Sequence, residues 1–290
     1  MPELPEVETT VRDLERKVRN RTFIDIWTDS VKMINSPLNF EDFKKEIKNE
    51  KIQKIWRRGK NIIFELSGGK ILLIHQKLTG HLLVGRWKKE KGQWKSQIKG
   101  TLDEPVNRFL HLIFSLDNGE MLGLSDLRKF AKVMLIKKEE LENLKDLNEL
   151  GPEPLDKDFT FEKFKERFKN KKGKIKQVLM DQQVIAGIGN IYSDEILWEA
   201  KIHPLRDVGT LNNEELGKIY IAMQKILKKG IELKGESFSD YRTPSGEKGN
   251  YDKFRKVYRR EGEKCRRCGE VIQRIKIGER SAHFCPNCQK

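Results

Sequence analysis

The 290-residue sequence predicts a multidomain α+β chain: an N-terminal β-sandwich with an N-terminal helix, then a helical domain, then a small C-terminal four-cysteine zinc β-hairpin. Three observations predict it. Short strand-like segments joined by hairpin turns follow a single amphipathic stretch at the start. Around residue 150 the run Leu150-Gly151-Pro152-Glu153-Pro154-Leu155 breaks any helix, and beyond it the apolar periodicity is helical. All four cysteines lie between Cys265 and Cys288, in two Cys-x2-Cys pairs. The expected boundaries are 1–149, 150–250 and 251–290.

The first element is a helix, because Val7, Val11, Leu14 and Val18 recur at i, i+4, i+7 and i+11. Pro5 suits its first turn, and Glu6 and Glu8 suit the positive end of its dipole. Strands are expected at Thr22–Trp27, Lys51–Trp56, Asn61–Leu66, Lys70–His75, Phe109–Leu116 and Glu120–Leu124. The turns Ser67-Gly68-Gly69 and Asp117-Asn118-Gly119 close two hairpins. The Lys- and Trp-containing segment 86–107 reads as an extended loop or hairpin. Helices are expected at Phe161–Phe168, Ile175–Val184, Ile191–Glu199 and Asn213–Leu233. The Ser-, Gly- and Pro-bearing segment 237–251 reads as a mobile loop.

A net charge of +15 points to a polyanionic partner, with nucleic acid before a membrane surface. No stretch suggests a spanning helix or a signal peptide, so neither export nor anchoring is expected, and the cytoplasm is the expected compartment. Residues 251–290 carry 12 Lys and Arg against 5 Asp and Glu. The basic excess is therefore concentrated in the smallest module.

The pairs Cys265/Cys268 and Cys285/Cys288 match a structural zinc site of four thiolates, with no position left for substrate. About 40 residues build little core, so the metal supplies folding energy. Ile272, Ile275 and Ile277 between the pairs suggest a β-hairpin, with Arg280 near its tip. At the other end of the chain, Met1 precedes the small residue Pro2. Its removal would leave a secondary amine within four residues of the carboxylates Glu3 and Glu6. An amine can attack an electrophilic carbon, and a carboxylate can move protons. The alternative is a frayed terminus with two solvated acids. The helix that follows argues for an anchored end.

Other stretches carry two readings each. Arg57-Arg58-Gly59-Lys60 is either a solvated basic turn or a phosphate contact. Gly187-Ile188-Gly189-Asn190 is either an interhelical turn or an anion site at a helix N-terminus. Leu78, after His75, is either core or a wedge between bases. Arg128 and Phe130 can point from one side of an extended loop into a gap in a base stack, or Phe130 can be core.

Taken together, these stretches resemble the bacterial formamidopyrimidine-DNA glycosylases over nearly the whole chain. The resemblance rests on Pro2–Thr9, Gly59-Lys60, His75 with Thr79-Gly80, Asp126–Phe130, Leu150–Leu155, Met180–Tyr192, Ser237–Tyr241, Val257-Tyr258 and Gly278–Gln289. It implies a β-sandwich, a helix–two-turns–helix domain and a zinc β-hairpin. It implies that Pro2 attacks C1′ of an extruded nucleotide, with Glu3 handling protons and Glu6 orienting the opened sugar or the amine. Lys60, His75, Gly189, Asn190 and Arg280, with Lys176 in addition, would hold phosphates around that nucleotide. Leu78, Arg128 and Phe130 would fill the hole left behind. Ser237, Ser239 and Tyr241 belong to a loop that closes over the lesion. The implied partner is double-stranded DNA containing oxidised purines or abasic sites. The implied protein is a bacterial, nucleoid-associated monomer with one structural zinc.

There are departures from the family's pattern. Leu78 stands where Met is usual, Leu127 and Lys129 where Pro and Arg are usual, and Ala131 where Gly is usual. Segment 86–107 looks longer than usual and takes no role from the resemblance. Leu4 favours the purine branch over the endonuclease-eight-like branch, where Gly is typical. A non-catalytic nucleic-acid-binding protein on the same scaffold is the rival of a different class.

Overall fold

The computed structural model describes residues 1–237 and 240–290. The chain divides into two compact units. One joins Met1–Asn148 to Leu233–Asp252, and the other joins Glu149–Glu232 to Lys253–Lys290. This division differs from the boundaries expected from sequence. Segment 233–252 packs with the N-terminal unit rather than with the helices, and the cysteine module packs with the helices rather than standing alone.

In the first unit the elements run α1 (Leu4–Val18), β1 (Phe23–Thr28), β2 (Ile34–Ser36), α2 (Phe40–Ile47), β3 (Ile52–Arg58), β4 (Asn61–Leu66) and β5 (Lys70–His75). They continue with β6 (His81–Gly85), β7 (Trp87–Glu90), β8 (Gln93–Ser96), β9 (Leu110–Leu116), β10 (Met121–Ser125), β11 (Lys132–Lys137) and the short α3 (Lys145–Asn148). One sheet has the order β1-β9-β10-β6 and the other β2-β11-β5-β4-β3. Residues of both sheets share one buried core, including Phe114 and Leu124 from the first and Phe64, Ile74 and Val133 from the second. Val7, Val11, Leu14 and Val18 of α1 enter the same core, as their spacing predicts.

Among the described residues of this unit, three strands and two helices were not expected from the sequence: β2, β6, β11, α2 and the short α3. All five residues of β6 are buried, so it shows no alternation. The reason lies in segment 86–107. It forms the β7–β8 hairpin and two 3₁₀ turns, Thr101–Asp103 and Pro105–Arg108. Trp87 and Leu102 from this segment pack with Leu83, Leu110 and Ile113 in a second apolar cluster. The first sheet is therefore covered by apolar side chains on both faces, which erases the period of two.

The second unit contains α4 (Phe161–Phe168), α5 (Ile175–Met180), α6 (Asn190–Ala200), α7 (Asn213–Glu232) and the hairpin β12 (Gln273–Ile277) and β13 (Arg280–Phe284). Helix α6 is buried almost all round, including its acids Asp194 and Glu195. Burial pushes the Glu195 carboxyl above its usual range, and backbone donors oppose that shift. Its carboxylate accepts the N–H groups of Lys256 (2.8 Å), Val257 (3.0 Å) and Tyr258 (2.9 Å), which docks the cysteine module onto α6. Asp194 pairs with the Lys176 ammonium and accepts both the His283 N–H (2.9 Å) and His283 Nδ1–H (2.9 Å). Among the described residues, no helix is long and apolar enough to cross a membrane.

Removing one member of a buried ion pair strands the other charge, at a cost of about 3–5 kcal/mol. Asp194→Ala should therefore lower unfolding stability by that order in urea titration. Adding Lys176→Met should restore part of the loss, because the stranded ammonium is then gone.

Candidate active site and nucleic-acid interface

The start of α1 is fixed by carboxylates. Glu3 is its N-cap, and Glu6 closes a capping box by accepting the Glu3 N–H at 2.8 Å. The other Glu6 oxygen accepts the Glu236 N–H at 2.8 Å. Glu3 and Glu6 are only 2% and 1% exposed, so neither is a solvated acid. Gly235 has φ +80, and a Cβ there would lie 2.7 Å from Glu6 Cγ, so only glycine admits this contact. Pro2 is buried. Burial lowers the pKa of the Met1 terminal ammonium, against the charges of Glu3 and Glu6; Lys60 lowers it further and Asp240 raises it. The amino end thus lies among the charges that the sequence reading assigned to chemistry.

Lys60 sits in the turn between β3 and β4 and is 7% exposed. The preceding Arg57 ties this turn to α1 through Glu8, Nε to Oε2, at 3.0 Å. His75 ends β5. Burial, with the Lys77 and Lys60 charges, pulls its pKa down to about 3. Its Nδ1 accepts the Lys77 N–H at 2.9 Å, which leaves the proton of the neutral ring on Nε2. A neutral Nε2–H is a hydrogen-bond donor suited to a phosphate oxygen.

Leu78 lies in the turn 77–79 and is half-buried. Arg128 is exposed and Phe130 is 47% exposed, which argues against Phe130 as core. The Arg128 guanidinium stacks over the Phe130 ring at 4.5 Å, so both side chains do share one side of the loop. A residue without an assigned role organises both segments. Asp126 is fully buried and accepts the N–H groups of Arg128 (3.2 Å), Phe130 (2.8 Å) and Ala131 (2.8 Å). It also accepts the Thr79 hydroxyl of the Leu78 turn. An acid heading a turn that must expose two side chains was the available signal.

Two of the residues expected in the lesion loop take anchoring positions. Ser237 Oγ accepts the Gly249 N–H at 2.8 Å, and the Tyr241 hydroxyl donates to the Glu6 carbonyl at 3.1 Å. Burial drives the Tyr241 pKa far above its usual value, so the hydroxyl stays protonated. Ser239 lies outside the described residues.

In the second unit, α5 stops at Met180 rather than running to Val184. Gln182 then folds the turn: its amide donates to the Met180 and Ile188 carbonyls, each at 2.7 Å, and accepts the Gly187 N–H at 2.9 Å. This makes Gly189 the N-cap of α6 and Asn190 its first helical residue. Arg280 is exposed at the start of β13, paired across the hairpin turn with Ile277. Lys176 departs from expectation. It is 1% exposed, its ammonium binds Asp194 and the Ser281 carbonyl (2.9 Å), and it serves an internal ion pair rather than a surface phosphate contact.

The four cysteine sulfurs all lie within 4.8 Å of one another. Cys265 and Cys288 are 3.9 Å apart and Cys268 and Cys285 3.5 Å apart. Tetrahedral Zn–S bonds of about 2.3 Å imply S···S edges of about 3.8 Å, so the set fits one zinc ion. The Arg267 N–H donates to Cys265 Sγ and the Cys288 N–H to Cys285 Sγ, each at 3.4 Å, stabilising thiolates.

Comparison with known proteins follows this division of labour. The formamidopyrimidine-DNA glycosylase N-terminal domain matches residues 1–133, the H2TH domain of the same enzymes residues 150–242, and the zinc finger found in FPG and IleRS residues 262–290. The chain belongs to the formamidopyrimidine-DNA glycosylase family. The family member from Pelotomaculum thermopropionicum is 40% identical over 290 residues, covering 100% of this chain and 99% of the relative. The Lactococcus lactis Fpg in complex with abasic-site DNA superposes with a TM-score of 0.85 at 35% identity, covering 99% of each chain. A MutM in complex with carbocyclic 8-oxo-G-containing DNA gives a TM-score of 0.85 at 35% identity, covering 100% of each chain. The family's zinc module is the one in which the four sulfurs converge.

Two measurements follow. His75 has a folded pKa near 3 and an unfolded value near 6.5, so the unfolded state binds more protons between these limits. Its contribution to stability is complete above pH 6.5 and is lost as pH falls toward 3. A His75→Asn variant should therefore show a shallower fall in stability over that window. Chelation of the metal, or Cys285→Ser, should unfold the cysteine module and abolish DNA binding, while circular dichroism retains the β-sandwich signal.

Proposed function

We propose that this protein is a bifunctional DNA glycosylase and abasic-site lyase that removes oxidised purines through Pro2. The observation that carries the reading is the amino end held at the start of α1 beside Glu3 and Glu6 and within the field of Lys60. Once Met1 is removed, the Pro2 nitrogen attacks C1′ of the extruded nucleotide. The bond from C1′ to the base breaks, and the base leaves with the bonding electrons and takes a proton. Glu3 protonates the sugar ring oxygen, the ring opens, and a cationic iminium joins Pro2 to C1′. That cation acidifies the adjacent carbon, and loss of its proton expels the 3′ phosphate. A second elimination expels the 5′ phosphate, and hydrolysis frees Pro2.

The remaining residues position the substrate. His75 Nε2–H, Lys60, the Gly189–Asn190 helix start and Arg280 bind phosphates, and Lys176 supports its neighbours from inside. Extrusion costs a few kcal/mol of lost stacking, which Leu78, Phe130 and Arg128 offset by occupying the gap. Arg128 presents donors suited to an orphaned cytosine. Zinc, held by the four cysteines, maintains the hairpin that carries Arg280 and takes no part in the chemistry. The solved complexes of relatives with abasic-site DNA and 8-oxo-G-containing DNA support this substrate class. Double-stranded DNA is accordingly the partner, met as a monomer in the bacterial cytoplasm at the nucleoid.

The test uses the purified protein after intact-mass analysis shows Met1 absent. Borohydride with duplex carrying 8-oxoguanine opposite cytosine should trap a covalent adduct, and Pro2→Gly should lose both the adduct and base excision. Full excision by Pro2→Gly would refute the mechanism. Faster action on thymine-glycol duplex would move the protein to the pyrimidine branch.

A further inference from the structure

Segment 86–107, which no part of the mechanism uses, ends in a buried polar network. Asn107 is 1% exposed. Its amide donates to the Thr101 carbonyl at 2.7 Å and reaches the Gly246 carbonyl at 3.5 Å. Because the amide nitrogen is thus committed, its oxygen accepts from His81 Nε2 at 2.8 Å. His81 is fully buried and is joined to the turn that carries Leu78 by the backbone of Thr79 and Gly80, so the Nε2–H bond to Asn107 fixes the end of that turn. Thr79 in turn donates to Asp126, which holds the backbone of Arg128 and Phe130.

The same segment grips residues 242–246, the far limb of the expected lesion loop. The Thr101 hydroxyl donates to the Ser245 carbonyl at 2.7 Å, and Glu104 pairs with Arg242 at 3.3 Å. The Val84 N–H of β6 donates to the Pro244 carbonyl at 2.8 Å. Gly246 has φ +80, and a Cβ there would lie 2.9 Å from the backbone of Thr101 and Leu102. The two backbones meet too closely for any side chain.

We propose that His81 and Asn107 are positioning residues that couple the base-gap turn at Leu78 to the lesion-loop limb 242–246, with segment 86–107 as the strut between them. Neither residue touches DNA. The strut holds the far limb, as Glu6 holds the near limb, so that the loop and the Leu78 turn keep one mutual placement when a base-bearing nucleotide is extruded. An abasic site offers no base to the loop and needs less unstacking. The coupling therefore acts on base excision and not on strand cleavage at an abasic site. This rests on the function proposed above.

The test compares Asn107→Ala and the milder Thr101→Val with wild type on two duplexes of one sequence, one with 8-oxoguanine and one with a preformed abasic site. Single-turnover base excision should fall roughly tenfold, the scale of one lost buried hydrogen bond or somewhat more, with KM nearly unchanged and abasic cleavage intact. Equal losses on both substrates, or no loss of excision, would overturn the proposal. Amide hydrogen exchange reads the coupling without activity. In Asn107→Ala, exchange should rise together at 78–81 and 243–247. A rise at only one segment, or at neither, would overturn it even if the enzyme acted on another lesion. A wild-type enzyme inert on 8-oxoguanine would instead count against the proposed function.

Discussion

Much of the N-terminal unit depends on where one carboxylate goes. Glu6 accepts two backbone N–H groups, from Glu3 and from Glu236, that are 233 residues apart in the chain. A buried carboxylate is costly unless its oxygens are satisfied, and here backbone donors satisfy both. The first donor sets the chain direction at the start of α1, and with it the position of the amino end. The second brings Gly235 and Glu236 against the same helix. Gly235 makes the approach possible, and the Tyr241 hydroxyl on the Glu6 carbonyl reinforces it. The amino end and the chain at Gly235–Glu236 therefore share one anchor.

The second unit solves a different problem. Its cysteine module is too small to bury a core of its own, and it leans on a helix whose buried face carries acids. Glu195 binds three successive N–H groups of the entering chain, and Asp194 binds His283 of β13 and the Lys176 ammonium. Hydrogen bonds to charged groups are directional, so they specify one seating where apolar contact alone would allow several. Four thiolates then close the hairpin, and the exposed Arg280 is carried on a rigid turn.

Within the first unit, segment 86–107 explains two oddities at once. It covers a sheet face that would otherwise meet water, which is why β6 reads as continuously apolar. It also brings Asn107 to His81 and Gly246.

By itself, the sequence determined the local grammar. The four valine and leucine positions of α1, the hairpin turns, the long α7 and the paired cysteines were legible because each is set by neighbours in the chain. The resemblance to the glycosylases gave Pro2, Glu3, Arg128 and Phe130 expected roles for the same reason, since each belongs to a contiguous motif. Tertiary structure decided what depends on partners distant in sequence. Glu6 holds a loop 230 residues away, Lys176 turns inward because Asp194 is waiting for it, and segment 233–252 joins the sandwich because its hydrogen-bond partners are there. Hydrogen bonds and ion pairs across long separations leave no periodic trace in a sequence. A buried lysine and an exposed one are spelled alike until the fold supplies the acid.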